Sequence, residues 1–431
     1  MKKYGPFKFP RYAILGILLL GCSQDNNPEG VSIALTADVL NYPLPAVYID
    51  TNDTSIDSKE NYIDGRVRVE GRGGFPDLET SDMRIRGRGN STWWLGQTWG
   101  KKPYQIKFEN KTTLLGMPED RRWVLLPELS DKTLIRNMIA RDWGQLSRLE
   151  YTPQLRFAEV FLNDDPQGVY VLGQKVEETN NRVAIGDEGY LIEIDQLSRI
   201  DDEDVYFQTN AFRAVSSESV FNVKEPEIAP NSSELGLIRE HILAFEEVLF
   251  SDGFAHRDTG YAAYIDVDSF IDWYLINEIA KSVDAMFYSS IFFSYLPGEK
   301  IKMGPIWDFD LSYGNVDYSN AQFAEGFWIR YNPWIQRLFE DPVFREKMKT
   351  RFAYFREQLP DILEKIDVYA AYLNEAQERN YSIWETLGVY VWPNPVIYES
   401  YPEEVNHLKD WMTRRIEWLD EELPGRIIFE D

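Results

Sequence analysis

Three aspartates lie near one another in the middle of this 431-residue chain, within residues 277–315. They are Asp284, Asp308 and Asp310. Hard cations such as Mg²⁺ bind carboxylate oxygens, and they often use one or two carboxylates together with the phosphates of a substrate. Phosphoryl transfer needs such a cation and a further aspartate that orients the attacking hydroxyl. The three residues therefore suit metal-dependent phosphoryl transfer. The alternative is that they only cap a helix and a turn.

A helix and a hairpin are predicted to position these aspartates. Apolar residues recur at helical spacing over 268–283, with Asp268 placed to cap the start. A strand is predicted over 290–295, and a Pro-Gly turn leads into a return strand over 301–307. The first aspartate follows the helix and the other two follow the return strand. Rigid elements would therefore present all three carboxylates at their ends.

A basic segment lies earlier in the chain. Residues 81–113 contain seven Lys and Arg against two acids, although the whole chain has a net charge of -26. Its glycine-containing turn includes Arg88, Asn90 and Ser91, and such a turn can bring backbone N–H groups close to phosphate oxygens. The next strand carries Lys107 on the face opposite its apolar residues. The segment favours an anionic ligand, but pairing with the acidic remainder and a plain hairpin turn are equally open.

Composition excludes several classes of function. A net charge of -26 makes nucleic acid an unexpected partner. The chain has three histidines, far apart, so a zinc site is not expected. A hydrophobic content of 44% with 13 Trp, 25 Tyr and 24 Phe indicates a globular chain with a large core.

The N-terminus predicts export and lipidation. Four basic residues precede an apolar run over 13–20, which is too short to span a bilayer as a helix. The run ends in Leu-Leu-Gly-Cys, a lipobox-like sequence in which Cys22, the single cysteine, would be lipidated. Ser23 follows it, which favours the outer membrane or the cell surface. The alternatives are an ordinary secretory signal or a chance cysteine at a cytoplasmic start.

The remaining chain divides into a β-rich half and a helical half. A hairpin is predicted over 159–171 with its second strand running on to residue 178, a strand over 189–195, and loops over 198–235. Helical periodicity predicts the following helices: 131–145, 234–250, 333–340, 342–358, 360–380 and 402–423.

Several motifs, taken in their order along the chain, resemble those of the CotH family. This family comprises spore-coat-protein-H-like proteins with an atypical protein-kinase fold. The motifs are RIRGRGNSTW, KKPYQIKFE, the 114–140 run, VFLNDDPQGVYVLGQKVEE, GYLIEID and NEIAKSVDA with MGPIWDFDLSYGN. The resemblance implies an α+β, bilobal kinase-like fold with a β-rich N-lobe, a helical C-lobe and extra C-terminal helices. The expected divisions are a signal peptide (1–21), a lipidated tether (22–44), the N-lobe (45–180), the C-lobe core (181–320) and a helical extension (321–431).

The resemblance implies ATP-dependent phosphorylation of Ser on a protein substrate, with Mg²⁺ or Mn²⁺. Asp284 resembles the catalytic aspartate, and Asp308 with Asp310 resembles the metal-binding W-D-x-D motif. For the nucleotide, the resemblance implies that Lys107 binds the phosphates, with Lys102 as the alternative. The turn that contains Arg88, Asn90 and Ser91 would lie near the phosphates. Glu177 and Glu178 would lie near the adenine. Membrane contact is expected only through the lipid anchor.

The chain departs from ordinary kinases at two positions. Ser289 stands where a metal-binding Asn is expected, and Asp310 stands where the Gly of a DFG motif would be. A non-catalytic scaffold or cell-surface binding protein is therefore an alternative. Trp93, Trp94 and Trp99 could build a glycan-stacking surface for it, or they could pack in the core or line a nucleotide pocket. A metal-dependent hydrolase using the same aspartates is a third hypothesis.

Overall fold

A computed structural model describes residues 39–213 and 218–423. The predicted signal peptide, the lipidation site Cys22 and most of the tether lie outside these residues. Within the described ranges, no helix combines the length and apolar character needed to cross a membrane. The mixed α+β class is confirmed, with a β-rich first part and helices that dominate later.

Seven strands form a closed barrel in the first part of the chain. Their bounds are β1 (Ala46–Asp50), β2 (Ile63–Glu70), β3 (Leu78–Gly87), β4 (Tyr104–Thr112), β5 (Asp120–Leu126), β6 (Leu155–Leu162) and β7 (Asp165–Gln174). The order is β1-β2-β3-β4-β5-β7-β6, and β1 closes the barrel by pairing in parallel with β6, Ala46 opposite Glu159. The expected β-rich N-lobe is thus a closed seven-stranded barrel and not an ordinary kinase lobe. The strands that close the barrel, β1 and β6, are far apart in sequence. The alternation of apolar residues within a strand does not indicate which distant strand it pairs with.

The barrel interior is filled by alternate side chains of its strands. Ile85 on β3, Ile106 on β4 and Trp123 on β5 lie side by side in register and are fully buried. The outward-facing neighbours in the next rung are Arg84, Lys107 and Arg122, which also lie side by side. This two-residue period separates an apolar interior from a charged outer surface.

A second sheet of five strands follows. Its strands are β8 (Tyr190–Gln196), β9 (Val205–Phe207), β10 (Ser219–Glu225), β11 (Ile291–Tyr295) and β12 (Lys302–Met303), in the order β12-β11-β8-β10-β9. The prediction of loops over 198–235 is therefore wrong for β9 and β10. These strands are short and separated by polar residues. β10 is ordered by pairing with the buried β8, and β9 pairs in turn with β10. The hairpin of the central aspartate stretch is confirmed as β11 and β12, although β12 is only two residues long.

Ten helices complete the described part. They are α1 (Ser91–Trp99), α2 (Arg136–Gln145), α3 (Asn210–Arg213), α4 (Ser233–Leu249), α5 (Val267–Ala280), α6 (Pro333–Leu338), α7 (Pro342–Glu357), α8 (Leu359–Tyr372), α9 (Asn374–Trp384) and α10 (Tyr401–Glu422). The helices predicted over 234–250, 342–358 and 402–423 are confirmed within about two residues. The one predicted over 360–380 is divided at Leu373 into the two helices α8 and α9.

Helix α9 packs back onto the barrel. Asn380 Oδ1 accepts hydrogen bonds from Lys101 Nζ at 2.8 Å and from the Val169 backbone N at 3.1 Å. Trp384 Nε1 donates to the Gln167 carbonyl at 3.0 Å. Gly168 between them has φ +74°, and a Cβ there would lie 2.4 Å from Asn380 Oδ1. The close approach of β7 and α9 therefore requires glycine at this position.

Candidate functional site

The central aspartates follow elements whose ends are fixed by local chemistry. Asp266, and not the predicted Asp268, caps α5 by accepting a hydrogen bond from the Ser269 backbone N at 2.8 Å. The helix ends at Ala280, earlier than the predicted end near residue 283, because Lys281 adopts a left-handed conformation with φ +47°. Asp284 follows in a short loop, and β11 then begins at Ile291. Asp284 therefore lies beside the end of a buried helix.

Helix α2 positions the other two aspartates, Asp308 and Asp310. Asn137 Oδ1 accepts a hydrogen bond at 2.8 Å from the backbone N of Phe309, the residue between Asp308 and Asp310. The amide of Asn137 also donates to Glu128 at 3.0 Å. Asp308 itself has φ +70°, a conformation that costs a non-glycine residue free energy. Such strain is common where a side chain must point into a functional cleft.

One cleft of about 300 Å³ lies between the barrel and the helical part. Seven of the predicted site residues line it: Arg88, Asn90, Ser91, Glu177, Asp284, Asp308 and Asp310. Lys102, Lys107 and Glu178 are not among its lining residues. The turn at Arg88–Ser91 and the three aspartates, which are about 190 residues apart in the sequence, thus line the same cleft.

Asp284 is half-buried in this cleft. Burial, and next the negative charge of Asp308, raise the pKa of the Asp284 carboxyl to about 6. The positive charge of Arg199 and the nearby Ser289 side chain act in the opposite direction. A carboxyl group with a pKa close to neutral pH is suited to accept a proton from a hydroxyl group.

Asp308 and Asp310 differ in exposure. Asp308 is exposed to the cleft, and Ser290 Oγ lies 3.4 Å from its Oδ2. Asp310 is buried, and burial together with the charges of Asp308, Asp131 and Asp284 raises its pKa well above the usual value. Ser130 Oγ donates to Asp310 at 3.3 Å. The repulsion among these carboxylates is the kind that a bound divalent cation would relieve.

The donor set suits a cation that is completed by substrate phosphates. In residues 39–213 and 218–423, no three His, Cys, Asp or Glu side chains are grouped closely enough to bind a metal ion by themselves. Mg²⁺ is typically bound through one or two carboxylates plus substrate phosphates and water, which needs no such group of three. Asp308 and Asp310 provide two oxygen-bearing side chains in the cleft, so the residues present fit Mg²⁺ or Mn²⁺.

Arg88 and the start of α1 form the cationic side of the cleft. The Arg88 guanidinium lies over the Trp307 ring at 5.6 Å. Burial lowers its pKa, while the charges of Asp308, Glu193 and Asp310 oppose that shift. Asn90 occupies the N-cap of α1 without a capping hydrogen bond, so the first N–H groups of this helix keep their capacity to bind an anion. An anionic group between Arg88 and the helix would lie close to the aspartates.

The two predicted lysines lie elsewhere. Lys107 is on the outer face of the barrel, with its Nζ 5.8 Å from the centre of the Tyr62 ring. Burial and the neighbouring arginines, Arg122 first, lower the pKa of Lys107. Lys102 Nζ donates to Asp57 at 3.2 Å and lies 5.4 Å from the Trp93 ring. Neither Lys102 nor Lys107 lies in the cleft with the aspartates. The assignment of these lysines to the phosphates stays a prediction.

The two predicted glutamates also separate. Glu177 is buried at the edge of the cleft and forms ion pairs with Arg122 at 2.7 Å and with Arg182. Glu178 lies outside the lining and pairs through its backbone with Val183. Burial raises the pKa of Glu178. Of the two, only Glu177 is placed to contact a ligand in the cleft.

The cleft contains charged residues that the sequence analysis did not assign. Glu193 and Asp195 on β8 point to the same side of the strand. Glu193 forms an ion pair with Lys224 at 3.8 Å, and Asp195 forms one with Arg199 at 3.5 Å. Burial first, and then Asp195, raise the pKa of Glu193 to about 7. Lys175 also lines the cleft, and burial lowers its pKa to about 8. The two-residue spacing of Glu193 and Asp195 in GYLIEID indicates that they share one face of β8. The sequence does not indicate whether that face lines the cleft.

The three tryptophans near the cleft have different surroundings. Trp94 is 60% exposed, while Trp93 and Trp99 are half-buried. Trp94 meets Trp392 edge to face with ring centres 6.2 Å apart, and Trp392 in turn packs against Tyr318. Of the three rings that could have built a glycan-stacking surface, only Trp94 is exposed, and it contacts aromatic residues of the helical part.

Comparison with known protein families gives one match. The family model described as CotH kinase protein matches residues 84–419, well over half of the chain. The chain therefore belongs to the CotH kinase family. The matched range includes the α1 turn, the three aspartates and most of α10. No curated protein matches the chain.

Proposed function

We propose that this member of the CotH kinase family transfers the γ-phosphate of ATP to a Ser hydroxyl of a protein substrate. The observation that carries this proposal is the composition of one cleft. It combines an uncapped helix start and Arg88 on the barrel side with Asp284, Asp308 and Asp310 on the helical side. Phosphoryl transfer is catalysed mainly by positioning and charge stabilisation, and these groups supply both.

Asp284 is assigned to the acceptor hydroxyl. The hydroxyl oxygen forms the new bond to the γ-phosphorus, the bond from that phosphorus to the β–γ bridging oxygen breaks, and ADP leaves with that electron pair. Asp284 orients the hydroxyl and accepts its proton. Its pKa of about 6 leaves most of the carboxyl ionised at neutral pH, so it can accept the proton without prior activation.

Asp308 and Asp310 are assigned to the divalent cation, Mg²⁺ or Mn²⁺. A cation bound there would neutralise negative charge on the phosphates. Arg88 and the N–H groups of α1 bind the phosphates from the barrel side. Val176, Phe292 and Trp307 give the cleft an apolar wall suited to a base, next to Glu177. Together these assignments cover the phosphates and the base of the nucleotide.

Calorimetric titration tests the nucleotide and metal assignments. Residues 23–431 would be titrated with ATP in the presence of Mg²⁺, of Mn²⁺ or of EDTA, beside the Asp308→Ala and Asp252→Ala variants. Asp252 is exposed and far from the cleft lining, so its replacement controls for the loss of a surface charge. We expect metal-dependent binding that is lost only in Asp308→Ala. Equal binding in both variants would contradict the assignment of the metal site.

A non-catalytic scaffold is the second candidate, and two observations favour it. Ser289 stands at the position of the usual metal-binding Asn, and the exposed Trp94 ring continues into an aromatic surface with Trp392 and Tyr318. Exposed aromatic surfaces commonly bind protein partners or sugars. Absence of ATP binding with either cation in the titration above would favour this candidate over the kinase.

We also propose that the mature chain is exported and attached to the outer membrane or cell surface by a lipid on Cys22. The lipobox-like sequence Leu19 to Cys22 supports this proposal. Membrane contact would then occur through the lipid alone. Fractionation of cells that express the wild type and Cys22→Ala provides the test. The variant should leave the membrane fraction, and retention there would contradict lipidation at Cys22.

A further inference from the structure

The segment that follows the metal-binding motif is unusual in how its backbone is bound. We call residues 311–331 the post-motif segment. It contains one short 3₁₀ turn, Ile329–Tyr331, at its end and otherwise no regular secondary structure. Its carbonyl groups therefore lack partners within a helix or sheet, and such groups are costly to bury unless other donors reach them. Two buried cations supply those donors.

Lys281 is the first of them. It ends α5, and its side chain is buried. Its Nζ donates to three carbonyls of the post-motif segment, those of Asn320 at 2.9 Å, Phe323 at 2.9 Å and Glu325 at 2.5 Å. An ammonium group has three N–H donors, so the segment uses the full capacity of this side chain.

The second cation is Arg415 on α10, which is completely buried. It donates to the carbonyls of Ala324 and Gly326, both at 2.7 Å, and to the Glu278 carboxylate at 2.7 Å. The same carboxylate accepts hydrogen bonds from the backbone N of Trp328 and of Arg330, both at 2.8 Å. The α5 and α10 helices therefore contact the segment through one connected network of charge-assisted hydrogen bonds.

This network reaches the catalytic loop. The indole Nε1 of Trp328 donates at 3.1 Å to the carbonyl of Val283, the residue before Asp284. At the other end of the segment, the backbone N of Tyr313 donates at 2.7 Å to the carbonyl of Ala280, the last residue of α5. The backbone on both sides of Lys281 is thus bonded to the segment, so movement of the segment would move Asp284.

We propose that Lys281 is a positioning residue that fixes the post-motif segment against the Asp284 loop in the unmodified protein. The acceptor side of the cleft is therefore assembled before any substrate binds, without a covalent modification of the segment. This inference rests on the proposed kinase function for its catalytic meaning. It can be measured separately, because the order of the segment does not depend on turnover.

Hydrogen exchange with the unmodified wild type is the first measurement, after intact mass has confirmed that no phosphate is attached. We expect the backbone amides of Tyr313, Trp328 and Arg330 to exchange as slowly as those in the middle of α5. Exchange at the rate of exposed loops would overturn the proposal. This arm needs no variant, so it remains decisive even if a substitution prevents folding.

Lys281→Met is the second arm, because it keeps the alkyl chain and removes the three donors. Lys300→Met replaces an exposed lysine and serves as the matched control. We expect exchange in residues 313–330 to become at least about tenfold faster only in Lys281→Met, with the barrel peptides unchanged. Unchanged exchange in the segment, or an equal increase throughout the protein, would overturn the proposal.

The same variants separate positioning from binding. Lys281 does not line the cleft, so the affinity for ATP with Mg²⁺ should stay within about twofold of the wild type. The turnover number for hydrolysis of saturating ATP, with water as the acceptor, should fall at least about tenfold. A parallel loss of affinity would overturn the positioning role. If the wild type shows protection of the segment but neither binds ATP with a divalent cation nor hydrolyses it, the kinase proposal fails and the structural inference stands.

Discussion

Ser290, and not the neighbouring Ser289, places its hydroxyl 3.4 Å from the Oδ2 atom of Asp308. Kinases usually have a metal-binding Asn close to this point of the chain, and comparison by position alone would assign that role to Ser289. Ser290 adopts a left-handed conformation with φ +59° that turns its side chain towards the cleft. The two serines therefore differ in their contacts, because the buried Ser289 hydroxyl has no hydrogen-bond partner within the described residues.

Replacement of the two serines should have different effects. We expect Ser290→Ala to weaken metal-dependent ATP binding by about two- to tenfold, the usual consequence of losing one hydrogen bond to an oxygen ligand. Ser289→Ala should leave that affinity unchanged, since its buried hydroxyl makes no hydrogen bond to Asp308. Titration of each variant with ATP and Mg²⁺ measures both. Equal losses in the two variants would contradict the separation.

Arg88 should contribute more to nucleotide binding than Lys107. Its guanidinium lies in the cleft over Trp307, while Lys107 lies on the outer face of the barrel. We expect Arg88→Ala to reduce ATP affinity by about ten- to a hundredfold, because charge-assisted hydrogen bonds to phosphate are lost. Lys107→Ala serves as the control, with a change of less than about twofold. A larger loss in Lys107→Ala would support the original assignment of Lys107 to the phosphates.

Asn380 should stabilise the contact between α9 and the barrel. Its Oδ1 accepts from Lys101 Nζ and the Val169 backbone N, both buried. Asn380→Ala leaves these two donors without that acceptor, and we expect the free energy of unfolding to fall by about 1–3 kcal/mol. Glu378→Ala, an exposed position on the same helix, should change it by less than about 0.5 kcal/mol. Urea denaturation followed by tryptophan fluorescence compares the two variants, and equal midpoints would contradict the role of Asn380.

His407 should make the protein less stable in acid. Burial first, and then the positive charge of Arg136, lower the pKa of His407 from 6.5 to about 4. Between pH 4 and 6.5 the unfolded chain therefore binds more protons than the folded one at this residue. The contribution to stability is fully present above pH 6.5 and is lost as the pH falls through that window.

The corresponding experiment compares the wild type with His407→Gln. Unfolding free energies measured at several pH values between 4.5 and 7 give the proton uptake on unfolding as a slope. The slope of the variant should be smaller by up to about one proton. Identical slopes would show that His407 is not the group responsible, and other buried carboxyl groups would then account for the acid sensitivity.

Local patterns predicted the elements of this fold better than their assembly. The helices over 234–250 and 402–423 have clear apolar periodicity, and they form within about two residues of those bounds. The parallel pair of Ala46 with Glu159 closes the barrel, and no local pattern contains it. The helix cap was assigned to Asp268 instead of Asp266 for a similar reason, since either aspartate could cap α5 and only the backbone geometry decides between them.

The candidate site shows the same division. The RGNS turn and the aspartates were predicted from residue type and spacing, and one cleft contains them. Lys107 was correctly placed on the charged side of its strand, but in a closed barrel only part of the outer surface faces the helices. Which part does so depends on the strand order β4-β5-β7 and on helix packing. Glu193 and Lys175 were missed because long-range packing alone turns them towards the cleft.

Kinase-like folds commonly admit and release nucleotide by rotation of one lobe about a single linking strand. Here the barrel is attached to the helical part at a second place, through Asn380 and Trp384 of α9. Rotation of the barrel about the linking strand would break the hydrogen bonds of Asn380 and Trp384. The contact with α9 therefore opposes such a rotation. Nucleotide exchange would then depend on local movements of loops and side chains at the mouth of a cleft whose width stays nearly constant.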